Sequence, residues 1–169
     1  MHNNTANSVS DVDWRTWIPK EYAVLCFIRD GNRVMLIHKK TGLGKGKINA
    51  PGGRIEPGET PRQAAIRETC EEIGLTCWDV KEIGKLHFIF TDGYSLHGTI
   101  FITDKYKGKP SESDEAKPFW CFVDKIPYDQ MWADDRYWLP LVLDGYYISG
   151  YFIFDNDKML SHRVDVLKR

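Results

Sequence analysis

The chain alternates short apolar runs of strand-like period with one segment whose signals are helical throughout. The stretches AVLCFIRD (23–30) and NRVMLIHK (32–39) flank Asp30-Gly31-Asn32 and predict two strands joined by a tight turn. A loop, TGLGKGKINAPGGRIEPGE, follows with five glycines before Pro57. From Thr60 to Ile73 the pattern becomes helical. Thr60 and Gln63 form a capping box, Pro61 takes the first helical position, and Gly74 supplies a stop. Beyond it, VKEIGKLHFIF, SLHGTIFITDKY and PFWCFVD read as strands. A second short helix is expected to start near Asp134 and carry WLPLVLDG, before two closing strands, YYISGYFIFD and MLSHRVDVL. This order predicts an α+β domain, a mixed sheet with helices packed on it, over residues 20–169. Residues 1–19 are polar and read as a flexible leader, apart from Trp14 and Trp17, which can dock on the body.

Composition narrows the classes. A chain of 169 residues, 42% apolar and 28% charged, suits one domain with a sizeable core. A net charge of -1 gives no electrostatic basis for a nucleic-acid polymer partner, but leaves a small phosphate ligand open. No apolar run approaches a membrane span, and no signal core precedes the domain, so a cytoplasmic location is expected. Cys26, Cys70, Cys77 and Cys121 form no CxxC pair, and three of them sit in apolar stretches, which fits free thiols. His38, His87, His97 and His162 show no metal spacing.

The candidate chemistry lies in the helix. At about 100° per residue, with Glu68 at zero, Glu71 falls near 300° and Glu72 near 40°. Ile73, Ile66 and Cys70 fall at roughly 140° to 200°, so an apolar face is expected opposite the carboxylates. Like charges at these spacings repel by a few tenths of a kcal/mol, and the C-terminal end of a helix disfavours anions. Arg67 and Arg62 can offset part of the cost. A hard divalent cation offsets more, because carboxylate oxygens are the ligands Mg²⁺ and Mn²⁺ prefer. The competing reading is a solvated acidic face.

Residues Gly53, Glu59, Arg67, Glu68, Glu71, Glu72, Gly74 and Leu75 stand at the spacings G-x5-E-x7-R-E-U-x-E-E-x-G-U, where U is bulky aliphatic. The segment thereby resembles the Nudix hydrolase family, departing only at Thr69, where an aliphatic residue is usual. The resemblance implies the Nudix fold, an α/β/α sandwich around a mixed sheet. It implies Mg²⁺-dependent hydrolysis, with Mn²⁺ as an alternative, of a nucleoside diphosphate linked to another group. Glu71 and Glu72, joined by the Gly52 carbonyl, are implied as metal ligands. Glu68 is implied as a further ligand or the general base, and Arg67 as the residue that orients the glutamates.

Beyond this segment, KKTGLGKGKIN, GKLHFIF, ESDEAKPFWC and QMWADDRYWLPLVL resemble the animal-type oxidised-purine triphosphatase branch of the family, related to MutT. That likeness implies Glu115 as an extra metal ligand. It implies Asn49, Phe88, Phe90, Trp132, Asp134 and Asp135 as a base pocket, with Lys39 beside it. Aromatic rings offer a purine a stacking platform, and two close aspartates sharing a proton can read an altered purine edge. Each residue also has a plainer reading. The aromatic residues suit a core, the aspartates can cap a helix, and Glu115 can be simple surface. Leu43 and Val24 depart from the branch pattern, and residues 1–19 have no counterpart in it.

The expected activity is cleavage of an oxidised purine nucleoside triphosphate, such as 8-oxo-dGTP or 2-hydroxy-dATP, to monophosphate and pyrophosphate, in a monomer or homodimer. The alternatives are a Nudix hydrolase of a pyrimidine triphosphate or nucleotide sugar, and a non-catalytic nucleotide-binding regulator. The full set of box glutamates argues against the last.

Overall fold

The computed structural model describes residues 6–169. Its strands are β1 (Glu21–Asp30), β2 (Arg33–Lys39), β3 (Ile48–Asn49), β4 (Gly52–Arg54), β5 (Thr76–Cys77), β6 (Lys81–Phe90), β7 (Ser95–Thr103), β8 (Tyr106–Lys107), β9 (Ala116–Phe122), β10 (Tyr147–Asp155) and β11 (Lys158–Lys168). The helices are α1 (Pro61–Ile73) and α2 (Asp135–Leu143). The chain forms two compact units, neither continuous in sequence.

One unit comprises Ala23–Glu82 and Ile100–Trp132. Here β1 pairs antiparallel with β2 through Arg29↔Val34 and Asp30↔Arg33, and Gly31 makes the turn in the left-handed region at φ 63°. The other edge of β1 pairs with β4, and β2 pairs with both β3 and β9. Helix α1 packs against β4, β5 and β9. The core gathers Val24, Cys26, Ile28, Met35 and Ile37 from the strands with Ala64, Ala65 and Ile73 from α1.

The ends of α1 follow the expected chemistry. Thr60 Oγ1 accepts from the Gln63 N–H, and the Gln63 side chain accepts from the Thr60 N–H, so two otherwise orphaned donors are satisfied. Gly74 adopts φ 76° and donates to the Cys70 carbonyl. The buried face differs from the wheel expectation. Ala65, Thr69 and Ile73 lie against the sheet, Glu72 is drawn in beside them, and Cys70 faces solvent. Small alanines let the helix approach closely, and that rotates the buried stripe away from Cys70. Thr69 fits the buried stripe despite its hydroxyl, because its Oγ1 donates to the Ala65 carbonyl at 2.8 Å.

The second unit comprises the described residues through Tyr22, Ile83–Thr99 and Ala133–Arg169. Its strand order is β11-β10-β6-β7, with β10 antiparallel to β11 and parallel to β6, a mixed arrangement in itself. Helix α2 packs on β10. Residues 1–5 of the expected leader lie outside the described residues. Residues 6–19 are packed onto this unit rather than hanging from it. Val9 and Val12 are buried with Ile89 and Ile153, and Trp14 and Trp17 join them. The Val9 N–H donates to Ser161 Oγ at 3.0 Å, and Trp14 Nε1 donates to the Val9 carbonyl at 3.0 Å. Four apolar side chains spaced through a polar sequence are enough to seat it, a pattern that average polarity conceals.

Candidate active site

The acidic face of α1 is organised around Arg67. Its Nε and Nη2 grip Glu59 in bidentate fashion at 2.7 and 2.9 Å. Its Nη1 donates to Glu68 at 2.7 Å and to Glu71 at 3.1 Å, and Nη2 also reaches the Arg54 carbonyl at 3.1 Å. A planar fork with five donors suits this work, and lysine does not. Arg67 holds the Glu59 carboxyl well below the ordinary range, at about 2. Arg62 plays no part in this grid. Its Nε donates to the Val80 carbonyl at 3.1 Å.

Carboxylate oxygens of Glu68, Glu72 and Glu115 lie within 4.8 Å of one another. Glu115 reaches this group from the loop before β9, across a long stretch of sequence. Glu72 is only 2% exposed, and burial pushes its carboxyl up to about 7, against the opposing pull of the Gly52 N–H bond and Lys39. Burial also raises Glu68, again against Arg67. Three hard oxygen donors at this spacing, two of them held partly or wholly out of water, fit a divalent cation. Glu71 stands apart from the three. It is exposed and turned to Arg67.

The glycines shape this site by lacking side chains. A Cβ on Gly53 would lie 2.4 Å from the Glu68 carboxyl carbon, and one on Gly52 would lie 2.1 Å from the Val24 carbonyl oxygen. The Gly52 N–H donates to Glu72 Oε1 at 3.2 Å.

The same unit carries three of the expected pocket residues. Lys39 ends β2, close enough to Glu72 to lower its pKa. Trp132 sits against the glycine-rich loop. Lys47 Nζ lies 5.2 Å from its ring, and a Cβ on Gly44 would meet its Nε1 at 2.7 Å. Asn49 Oδ1 accepts from the Ala50 N–H at 2.8 Å, so its carbonyl is engaged locally.

The other expected pocket residues belong to the second unit. Phe88 and Phe90 share one face of β6 and stack on Phe152 and Phe154 of β10, at centroid distances of 5.4 and 5.7 Å. Asp134 and Asp135 open α2 and are 1% and 4% exposed. Asp134 makes no side-chain capping bond. Its Oδ2 instead accepts from Trp138 Nε1 at 2.8 Å. Burial raises the Asp134 carboxyl to about 6.

The sequence alone did not single out Lys40 or Ser113, which fix the loop bearing Glu115. Their spacing carries no motif signal, because the contacts join β2 to a loop some seventy residues later.

A Nudix domain model matches residues 19–142. The chain belongs to the Nudix family. This Nudix chain is 45% identical over 145 residues to the oxidized purine nucleoside triphosphate hydrolase of Danio rerio, covering 83% of the chain and 92% of that protein. It is 39% identical over 140 residues to the mouse protein of the same name, covering 82% and 90%. A crystal structure of a MutT protein from Bacillus halodurans superposes with a TM-score of 0.77 at 28% identity, covering 86% of this chain and 97% of that one. These matches bear out the expected α+β Nudix fold and a hydrolase of a divalent-metal-dependent family. No helix among the described residues is long and apolar enough to cross a membrane.

Proposed function

We propose that this Nudix hydrolase cleaves oxidised purine nucleoside triphosphates to the monophosphate and pyrophosphate, and so clears them from the nucleotide pool. The observation that carries the reading is the convergence of Glu68, Glu72 and Glu115 beside the Arg67 grid. The names of the relatives from Danio rerio and mouse support the substrate class.

In this reading Glu68, Glu72 and Glu115 would hold Mg²⁺ or Mn²⁺, and the family likeness adds the Gly52 carbonyl to that set. Such an ion stabilises charge on phosphoryl oxygens and lowers the pKa of an attacking water. Glu68, held in place by Arg67, would be the base that takes the proton from that water. The water oxygen bonds to phosphorus, the bond to the bridging oxygen breaks, and pyrophosphate leaves. Arg67 keeps Glu68 aimed, with Glu59 and Glu71 anchoring the guanidinium. Glu71 contributes through Arg67 in the geometry described here, which favours orientation over ligation. The likeness to the oxidised-purine relatives assigns nucleotide contacts to Lys39, Asn49 and Trp132 in one unit and to Phe88, Phe90, Asp134 and Asp135 in the other. The aromatic residues offer the base a stacking surface, and the buried Asp134 and Asp135, two close carboxyls able to share a proton, would read its edge.

The test is a release assay with Mg²⁺ or Mn²⁺ across 8-oxo-dGTP, 2-hydroxy-dATP, dGTP, dCTP and a nucleotide sugar. The oxidised purines should give the highest kcat/KM. Faster turnover of dCTP or the sugar would overturn the substrate assignment and leave the metal site standing.

A further inference from the structure

Glu115 is exposed and sits in the polar run Lys109-Pro110-Ser111-Glu112-Ser113-Asp114-Glu115, which offers the core no apolar side chain apart from Pro110. A ligand on such a segment serves a metal only if its backbone is fixed, since ordering a loose loop at binding costs affinity. Part of the fixing is local. The Ser111 N–H donates to the Ile73 carbonyl at 2.8 Å, tying the loop to the last turn of α1. Ser113 Oγ accepts from the N–H groups of Glu115 and Ala116, each at 3.2 Å.

The rest comes from Lys40, just past the end of β2. Its backbone N–H donates to the Glu115 carbonyl at 2.9 Å. Its Nζ donates to the Ser113 carbonyl at 2.8 Å and forms an ion pair with Glu112. One residue thus clasps the loop at 112, 113 and 115. Its ammonium is spent on the loop.

We propose that Lys40 is a positioning residue for the metal site, acting by clasping the loop so that Glu115 stays in register with Glu68 and Glu72. The proposal rests on the reading of those three carboxylates as a cation site. A half-exposed ion pair contributes little to global stability. The effect of Lys40 should therefore appear in metal affinity, where loss of an outer partner typically weakens binding about 10- to 100-fold.

Mn²⁺ binding to the full chain, followed by the EPR signal of free Mn²⁺, tests this without reference to turnover. Lys40→Met keeps the apolar stem and the backbone bond but loses the ammonium. It should weaken Mn²⁺ binding about tenfold and leave the metal-free Tm unchanged. Lys40→Arg should restore most of the affinity. Glu115→Gln should weaken binding by itself, and adding Lys40→Met to it should cost little more. Parent-like affinity in Lys40→Met, beside a weakened Glu115→Gln, would overturn the proposal. So would a full additional loss in the double variant, which would mean that Lys40 acts independently of Glu115. If Glu115→Gln binds as the parent does, the three-carboxylate site itself fails, and the role of Lys40 fails with it.

Discussion

Glu68, Glu71 and Glu72 on α1 and the pair Asp134 and Asp135 on α2 are both crowds of like charge, and their surroundings treat them differently. Around α1, Arg67 answers Glu59, Glu68 and Glu71 directly, and Glu72 is left with a backbone N–H and a carboxyl raised to about 7. At α2, Asp134 is sealed to 1% exposure with an indole N–H on one oxygen. The first setting keeps most charges ionised and gathers oxygens at one point, which suits a cation. The second seals a single carboxyl from solvent against one indole donor, and burial raises it to about 6. The same carboxyl group is thus placed in two different settings because burial and counter-charge differ.

That contrast can be broken most severely at Glu68. Glu68→Gln keeps the shape and removes the proton acceptor, and should lower kcat about 10³-fold with the fold intact by circular dichroism. Parent-like turnover would remove Glu68 from the chemistry. Next comes Arg67→Lys. The lysine cannot span Glu59, Glu68 and Glu71 together, so Tm should fall by an amount equivalent to about 2 kcal/mol, with kcat depressed as well. Saturating Mn²⁺ should recover part of the Tm loss.

Asp134→Asn sharpens the comparison from the other side. It should shift the ratio of kcat/KM for oxidised over ordinary purine about tenfold, while Mn²⁺ affinity stays at the parent value. A change in metal affinity instead would merge two regions held distinct here. The smallest effect concerns pH. His87 is buried, and that holds its pKa below the ordinary 6.5, while its Nδ1–H donates to the Gly150 carbonyl. The folded chain therefore resists protonation at this site more than the unfolded chain does. The stability from neutral His87 is complete above pH 6.5 and drains away as pH falls below it. Thermal melts from pH 8 to 5 isolate this as a difference: the stability of the parent relative to His87→Phe should fall as pH drops below 6.5, because the raised carboxyls of Glu72 and Asp134, which favour the fold toward acid, act equally in both.

Local chemistry was legible in the sequence because it is written in neighbouring residues. The capping box at Thr60 and Gln63, the stop at Gly74 and the hairpin at Gly31 all appear where expected. The glutamates of α1 were legible for the same reason. What their wheel did not reveal is which side meets the sheet. Ala64 and Ala65 are weakly apolar, so the wheel places Cys70 on the packed face and Glu72 on the opposite one, whereas close packing at the alanines buries Glu72 and leaves Cys70 exposed. The seating of Val9 and Val12 on β6 and β10 and the clasp of Lys40 on the Glu115 loop arise between distant segments. No periodicity encodes such contacts.

The close approach of Gly53 to Glu68 also bears on how this chain tolerates change. The position lies on a short edge segment, partly exposed, where a methyl group would normally cost the fold little. Here the atoms that would have to yield are those of a carboxylate assigned to the chemistry. A survey of variants scored by expression or solubility would rate Gly53 permissive, and one scored by turnover would rate it intolerant. Positions where those two scores part company mark space reserved for function, and Gly53 is the clearest in this molecule.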